Sequence, residues 1–171
     1  MTTYAKVILY IASSLDGYIA RENGDVDWLY TDQDYGYLEF IDSIDIVIMG
    51  RVTYEQVLGF GEFPYKQKRC FVFSPDAPGK RDNVEFVNER VEDFITRIKP
   101  ESHLNIWLIG GSNLLNQFVQ YNLIDEYIVS VHPILLGNGI PLFEKRHKEI
   151  PLQFTKCISY SSGLAQLYYT R

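Results

Sequence analysis

The sequence predicts a three-layer α/β fold around a mixed, mostly parallel sheet of about eight strands. Three observations carry this prediction. Nearly continuous apolar runs that end in small or glycine residues are typical of strands buried on both faces of a parallel sheet. Helix-like stretches alternate with these runs, which favours parallel crossover connections. After residue 124 the chain offers three strand patterns and no helix pattern, so we expect the sheet to finish antiparallel.

The individual strands follow from the same patterns. Residues 7–13, 44–50 and 106–109 are the nearly continuous apolar runs. Ser161, Ser162 and Gly163 form a turn signal between the last two strand patterns, which predicts a hairpin there. The remaining strands are predicted at residues 70–74, 84–87, 127–133, 154–161 and 165–170.

Four helices are predicted between the strands, at residues 35–41, 53–58, 91–98 and 112–121, from apolar residues at helical spacing. The twenty or so residues from 14 to 34 have little strand or helix pattern. Long unstructured connections in compact domains are often lids or binding loops, so this loop is a candidate functional element. The alternative is that this loop has no functional role and only crosses the protein surface, where Leu15, Ile19 and Trp28 anchor it.

Composition restricts the classes of function. The chain has 171 residues, 46% of them apolar, and a net charge of −6, and it has no linker or repeat, so we expect one globular domain over residues 1–171. The net charge argues against general nucleic-acid or membrane-surface binding. The first residues lack a signal-peptide pattern, which predicts a cytoplasmic protein. Cys70 and Cys157 lie in apolar contexts and are predicted to be buried free thiols.

Two strand-to-helix junctions have matching chemistry. In one, a strand ends at Gly50 and a helix begins with Arg51 and Thr53; in the other, a strand ends at Gly110 and Gly111. A helix N-terminus presents free N–H groups and partial positive charge, and glycine lets a phosphate approach the backbone. Two neighbouring junctions would hold a pyrophosphate, whereas either one alone would be an ordinary capped helix.

Neither a GxGxxG fingerprint nor a P-loop is present, and no histidine spacing suggests a metal site.

Several motifs together resemble a known family. Residues 14–20 (SLDGYIA), 49–55 (MGRVTYE), 107–112 (WLIGGS), 123–127 (LIDEY) and 133–143 (PILLGNGIPLF) are similar to the dihydrofolate reductase-like superfamily. Within it, the chain most resembles the reductase (C-terminal) domain of the bifunctional riboflavin-biosynthesis deaminase/reductase. The likeness covers almost the whole chain in order, and it implies an NADPH-dependent oxidoreductase.

The resemblance also implies which residues would bind NADPH. A guanidinium offers the rigid set of donors that a 2′-phosphate needs, so Arg51, with a nearby serine, favours NADPH over NADH. The implied cofactor-binding residues are Ala12, Ile19, Gly50, Arg51, Thr53, Ser74, Gly110, Gly111, Ser112 and Leu114.

The catalytic and substrate-binding candidates lie in the long loop or directly after it. Asp16 is the candidate catalytic residue. The alternative is that Asp16 has only a structural role, in an Asp-Gly turn with Gly17. Trp28, Asp34 and Tyr35 are the candidate substrate-binding residues, although Asp34 would also suit a helix cap and the aromatics would suit a core. Dihydrofolate reductases have a carboxylate five residues after a loop tryptophan, where this chain has Gln33, and this argues against folate reduction.

The leading hypothesis is therefore an NADPH-dependent reductase of a small pterin-, pyrimidine- or carbonyl/imine-type compound. One alternative is a non-catalytic nucleotide-binding or regulatory protein that keeps the cofactor cleft, and another is a structural protein that inherited the fold. The apolar and aromatic strand patterns at 127–131 and 164–169 predict an uncovered face or edge, and hence a homodimer through the C-terminal strands.

Overall fold

A computed structural model describes residues 4–76, 79–145 and 148–171. Its helices are α1 (Tyr37–Asp42), α2 (Arg51–Gly59), α3 (Val91–Ile98) and α4 (Ser112–Gln120), with a 3-10 helix at Lys99–Glu101. The strands are β1 (Val7–Ser14), β2 (Tyr18–Ala20), β3 (Ile44–Gly50), β4 (Arg69–Phe73), β5 (Gly79–Arg81), β6 (Val84–Val87), β7 (Asn105–Gly110), β8 (Glu126–His132), β9 (Ile140–Pro141), β10 (Gln153–Ser159) and β11 (Ala165–Thr170).

Nine strands form one mixed sheet in the order β10-β11-β8-β1-β7-β3-β4-β6-β5. The six strands from β8 to β6 are parallel to one another, while β11 pairs antiparallel with β8 and β10 antiparallel with β11. This confirms the predicted mostly parallel sheet with an antiparallel C-terminal end. The opposite edge is antiparallel as well, because β5 turns back on β6.

Helices cover both faces of the sheet, which gives the predicted three layers. On one face α3 and α4 pack against Leu9, Ile48 and Leu108 of the central strands. The apolar residues of α3 are spaced so that Phe94 and Ile98 lie on one side, and both are fully buried. On the other face, Phe40 of α1 and partly buried side chains of α2 pack against the alternate residues of β3 and β4.

Short elements differ from the sequence expectation. The loop predicted at residues 14–34 contains β2, which pairs with β9 in a separate two-stranded sheet. Neither β2 nor β9 exceeds three residues, which is too short to produce a detectable periodicity. The prediction that both cysteines are buried is wrong for Cys157, which is exposed on β10, while Cys70 is buried. The edge position of β10 explains this difference, because no further strand pairs beyond it within the described residues.

Helix boundaries are close to those predicted. The first helix begins at Tyr37 rather than residue 35, and the second begins directly after Gly50, two residues earlier than the pattern indicated. Within the described ranges, no helix has both the length and the apolar content that crossing a lipid bilayer requires.

Candidate functional site

The two glycine-containing junctions lie side by side at the carboxyl edge of the sheet. They meet because β3 and β7 are neighbouring parallel strands, with Met49 opposite Gly110. A Cβ atom placed on Gly50 would lie 3.7 Å from the amide nitrogen of Gly111 and 3.9 Å from the carbonyl oxygen of Gly110. The absent side chain at Gly50 therefore leaves a narrow gap between the two backbones. The peptide bond between the two glycines of β7 is cis.

Helices α2 and α4 both begin at this gap. Their N-cap residues are Gly50 and Gly111, and neither helix has an acidic residue in its first turn. The Ser112 hydroxyl donates to the carbonyl of Pro141 at 3.1 Å, so it does not cap its own helix. Because glycine offers no capping side chain, the first N–H groups of both helices are available to an anion.

A cavity of about 640 Å³ extends from this gap along the carboxyl edge of the sheet. A cavity of this size is in the range typical of small-molecule and cofactor sites. Gly110 is not part of its wall, but it directly precedes Gly111, which is. The other nine residues expected to bind the cofactor all line the cavity: Ala12, Ile19, Gly50, Arg51, Thr53, Ser74, Gly111, Ser112 and Leu114.

Five polar residues in the wall were not predicted from the sequence: Gln56, Asn88, Glu89, Asn113 and Gln117. Gln56 is one helical turn after Thr53, and Gln117 is four residues after Asn113, so each pair shares a helix face. The amide of Gln117 donates to Asn113 Oδ1 at 2.7 Å. Helical spacing from the first turn could have identified Gln56 and Gln117, because residues three and four apart on a helix point the same way.

Arg51 lies at the rim of the cavity, next to the strand end that carries Ser74. Its guanidinium pairs with Asp76 at 3.0 Å and with Glu55 at 3.7 Å, and the side chain is 48% exposed. Ion pairs between exposed groups are weak, because water and salt screen both charges. The guanidinium can therefore exchange these partners for another anion at little cost.

The opposite end of the cavity is apolar. It is formed by side chains from β1, β2, β7, β9 and the loop after β2: Ile11, Ala12, Ile19, Val26, Leu29, Ile109 and Ile140. Among the lining residues that the structure describes, only Arg51 and Glu89 carry charge. Glu89 forms an ion pair with Arg97. Charge in the cavity is thus confined to the end formed by α2, β4 and the loop before α3.

Asp16 does not line the cavity. Its carboxylate accepts hydrogen bonds from the Ser14 hydroxyl at 2.6 Å and from the backbone N–H groups of Leu136 at 3.1 Å and Gly137 at 2.8 Å. The Ser14 hydroxyl and these amides hold the pKa of Asp16 below its ordinary value. Asp16 therefore fastens the turn after β1 to the segment before β9, and it stays ionised.

Asp34 and Tyr35 also lie outside the cavity wall. The Asp34 carboxylate accepts from the backbone N–H of Leu38 at 3.1 Å, close to the start of α1. The Tyr35 hydroxyl lies 2.7 Å from Asp32 Oδ1 and 2.9 Å from the Ser162 hydroxyl oxygen, and its ring is buried. These contacts join the loop before α1 to the C-terminal hairpin.

Trp28 is buried and is not a lining residue of the cavity, and its ring lies edge-on to His132 with ring centroids 5.2 Å apart. His132 Nε2 accepts from the backbone N–H of Tyr30 at 3.2 Å, so its proton is on Nδ1, which lies 3.1 Å from the Ser130 carbonyl. Burial lowers the pKa of His132, which keeps the ring neutral. Trp28 thus supports the loop that carries Leu29 into the cavity.

A family model described as the RibD C-terminal domain matches residues 5–166 of this chain. Two Bacillus subtilis (strain 168) proteins are similar over almost their whole length. Uncharacterized protein YwjB is 43% identical, with 97% of this chain and 98% of that protein covered. Uncharacterized protein YyaP is 32% identical, with 96% of this chain and 94% of that protein covered.

Solved structures show the same fold. A Shewanella sp. PV-4 protein provisionally assigned to riboflavin biosynthesis has a TM-score of 0.87 and 33% identity, with 97% of this chain and 98% of that chain covered. The Thermotoga maritima diaminohydroxyphosphoribosylaminopyrimidine deaminase/5-amino-6-(5-phosphoribosylamino)uracil reductase has a TM-score of 0.75 and 19% identity. It is matched over 98% of this chain but 56% of its own, and at that identity the likeness shows the fold alone. The predicted fold class and family resemblance are confirmed.

Proposed function

The chain belongs to the RibD C-terminal domain family, and from this premise we propose that it is an NADPH-dependent reductase of a small pterin-, pyrimidine- or carbonyl/imine-type compound. The reductase-like fold is established by the family match and the structural neighbours. The observation that supports the cofactor assignment is the narrow gap between Gly50 and Gly111, where two helices begin.

The residues around the gap fit a dinucleotide. The first N–H groups of α2 and α4 would donate to the pyrophosphate, and the glycines allow it to approach the backbone. Thr53 Oγ1 lies 3.4 Å from the position that a Cβ on Gly111 would occupy, so its hydroxyl also borders the gap. Bound NADPH would supply a hydride, which is the chemistry that defines this cofactor.

Arg51 and Ser74 would recognise the adenosine 2′-phosphate. The 2′-phosphate is a dianion, and it would replace the exposed carboxylates of Asp76 and Glu55 as the partner of the guanidinium. This exchange explains how a protein with a net charge of −6 would hold an anionic cofactor through local geometry.

The substrate would lie at the apolar end of the cavity, beside Ile19 and Leu29. The contacts of Asp16, Asp34 and Tyr35 support positioning roles for these residues, in place of the direct catalytic and substrate-binding roles expected from the sequence. Trp28 would act in the same way, since it is buried outside the cavity wall.

We include a homodimer and a cytoplasmic location in the proposal. Strand β10 is exposed along most of its length at the edge of the sheet, and Phe154 on it is 63% exposed. Exposed strand edges with apolar residues are usually covered. A light-scattering mass equal to one chain at micromolar concentration would contradict the dimer.

The cofactor assignment is tested by titrating the protein with NADPH and with NADH and following nicotinamide fluorescence. We expect micromolar NADPH binding and weaker NADH binding. Arg51→Ala should weaken NADPH binding and leave NADH binding almost unchanged. Arg69→Ala is the matched control, because Arg69 is 50% exposed and pairs with Glu101 at 3.0 Å, outside the cavity wall. Equal affinity for both cofactors in the wild type would contradict the assignment to NADPH.

A non-catalytic nucleotide-binding protein is the second candidate. It is favoured by one observation: within the described wall, the apolar end of the cavity has no ionisable side chain that could supply a proton. NADPH oxidation in the presence of a panel of pterins and ribosylaminopyrimidines distinguishes the two candidates. Oxidation with any member supports the reductase, whereas tight NADPH binding without oxidation across the panel supports the second candidate.

A further inference from the structure

A turn at residues 26–29, called here the wall turn, joins the apolar end of the cavity to the main sheet. Val26 and Leu29 both line the cavity, and the Leu29 N–H donates to the Val26 carbonyl at 3.1 Å, which closes the turn. The next residue, Tyr30, donates its backbone N–H to Nε2 of His132 at 3.2 Å. Because His132 is the last residue of β8, this hydrogen bond ties part of the cavity wall to the sheet.

The imidazole of His132 is enclosed by the loop that it holds. The side chain is 3% exposed, and the rings of Trp28 and Tyr30 contact it with centroids 5.2 Å and 5.0 Å away. These two aromatic residues flank Leu29 in the chain, so His132 contacts the residues on either side of a lining side chain. Nδ1 lies 3.1 Å from the Ser130 carbonyl and carries the proton, which leaves Nε2 free to accept.

The position of the wall turn depends on the neutral form of this ring. An imidazolium carries a proton on each nitrogen and accepts no hydrogen bond. With His132 charged, its Nε2–H would point at the Tyr30 N–H, and the hydrogen bond that holds the turn would be lost. The indole Nε1 of Trp28 is buried and has no hydrogen-bond partner among the described residues, and a buried donor without an acceptor costs free energy. Because this donor already destabilises the packed turn, we expect the loss of the His132 hydrogen bond to release it.

The titratable groups around His132 are the Tyr30 phenol, whose ring contacts the imidazole, and two carboxylates that are engaged elsewhere. In the loop, Asp27 forms an ion pair with a neighbouring arginine. After β1, Asp16 accepts from the hydroxyl of Ser14, the residue opposite His132 in the pairing of β1 with β8.

The remaining neighbours of His132 are uncharged. Strand β11 places Ala165 opposite the preceding residue of β8. Burial lowers the pKa of His132, and the backbone carbonyls of Ser130 and Ser13 oppose this effect. Since these groups do not titrate, the imidazole itself is the group that would respond to a fall in pH.

We propose that His132 is a positioning residue for the apolar end of the cavity: its neutral ring holds the wall turn on the sheet, and its protonation releases the turn and weakens ligand binding there. This inference rests on the proposed function for the identity of the ligand, the nicotinamide end of the cofactor. The release of the turn itself is a property of the unliganded chain.

The first test is amide hydrogen exchange of the full chain, which needs no ligand. The protection factor of the Tyr30 amide, corrected for the intrinsic exchange rate at each pH, should fall about tenfold between about pH 7.5 and about pH 5. The Ile48 amide, in the middle of β3, should keep its protection. His132→Gln should keep Tyr30 protected at both pH values, because the glutamine carbonyl accepts from the same N–H and does not titrate. His103→Gln removes an exposed histidine and should behave like the wild type.

The second test measures the effect on binding by calorimetry with NADP⁺ and with 2′-phospho-ADP-ribose, which differ only in the nicotinamide ring. Both compounds carry the same phosphates, so the titration of these groups cancels in the ratio of the two affinities. We expect NADP⁺ to lose about threefold more affinity than 2′-phospho-ADP-ribose between about pH 7.5 and about pH 5. In His132→Gln the ratio should be the same at both pH values.

The possible results separate the two proposals. Equal protection of the Tyr30 amide at both pH values, or an equal loss of protection in His132→Gln, would overturn the inference whether or not a ligand binds. An affinity ratio that does not change with pH would also overturn it, while NADP⁺ binding keeps the proposed function in place. Failure to bind NADP⁺ and NADPH would overturn the proposed function and the ligand assigned here, and the exchange measurement would still decide whether His132 releases the turn.

Discussion

Replacing Gly50 by alanine should strongly weaken cofactor binding without harming the fold. The backbone of Gly50 has φ −79° and ψ 164°, an extended conformation that any residue adopts. The new methyl would meet its nearest neighbours, the Gly111 nitrogen and the Gly110 oxygen, at 3.7 and 3.9 Å, which are ordinary van der Waals distances. The methyl would nevertheless occupy the gap where we place the pyrophosphate.

The expected magnitudes follow from these contacts. Replacing glycine by alanine at an unstrained position stabilises the folded protein by about 0.4–1 kcal/mol, because the unfolded chain then has fewer conformations to lose. Alanine is also a poorer N-cap than glycine, which destabilises the protein by about the same amount. The free energy of unfolding should therefore change by less than about 0.5 kcal/mol. A hydrogen bond to a charged group is worth about 1.5–3 kcal/mol. Losing one such bond to the pyrophosphate should weaken NADPH binding by about 10- to 150-fold.

The assay pairs a fluorescence titration with urea denaturation of the same preparation. Gly59→Ala, at the other end of α2, is the matched control, because a Cβ there would meet nothing within 4 Å. It should leave NADPH affinity unchanged and increase stability by up to about 1 kcal/mol. Wild-type NADPH affinity in a folded Gly50→Ala protein would refute the idea that the two helix N-termini hold the pyrophosphate.

Three further outcomes are expected. Gly139→Ala should lower the melting temperature by several degrees. The φ of Gly139 is +148°, and a Cβ atom there would lie 2.3 Å from the Ala20 carbonyl oxygen. An unchanged melting temperature would contradict this contact. Ellman's reagent should label only Cys157 in the native protein, because burial raises the pKa of Cys70 to about 12, and Cys157→Ser should remove the labelling. The free energy of unfolding, measured with urea, should fall as the pH drops below 6.5, the ordinary pKa of histidine. Burial lowers the pKa of His132 in the native protein, so the unfolded chain binds this proton more readily. The loss of stability should be smaller in His132→Gln.

The sheet could be predicted because burial leaves a strong mark on the sequence. Strands β1, β3 and β7 lie in the middle of the sheet under helices on both faces, and each is a nearly continuous apolar run. Strand β5 could not be predicted, because all three of its residues are exposed and nothing distinguishes them from a turn. The pairing of β2 with β9 joins segments about 120 residues apart through backbone bonds, which no side-chain pattern encodes.

The site was predictable where backbone geometry determines it and unpredictable where tertiary packing does. Glycine at the ends of β3 and β7 indicated both junctions, since only a residue without a side chain leaves the gap open. Aromatic and acidic residues in the loop gave an ambiguous pattern. Tyr35 and Trp28 were candidates for a pocket because aromatics suit flat ligands, but their rings are buried against the C-terminal hairpin and His132.

The position of β1 affects how the protein is made. The partners of this strand are β7 and β8, whose residues are added to the growing chain roughly one hundred positions after it. Until then the apolar segment has neither of its sheet neighbours, so the nascent chain carries an unpaired strand while about one hundred residues are added. Long-range parallel pairing of this kind slows folding and prolongs exposure to aggregation. We therefore expect the yield of native protein to depend on translation speed and on chaperones that shield this first strand.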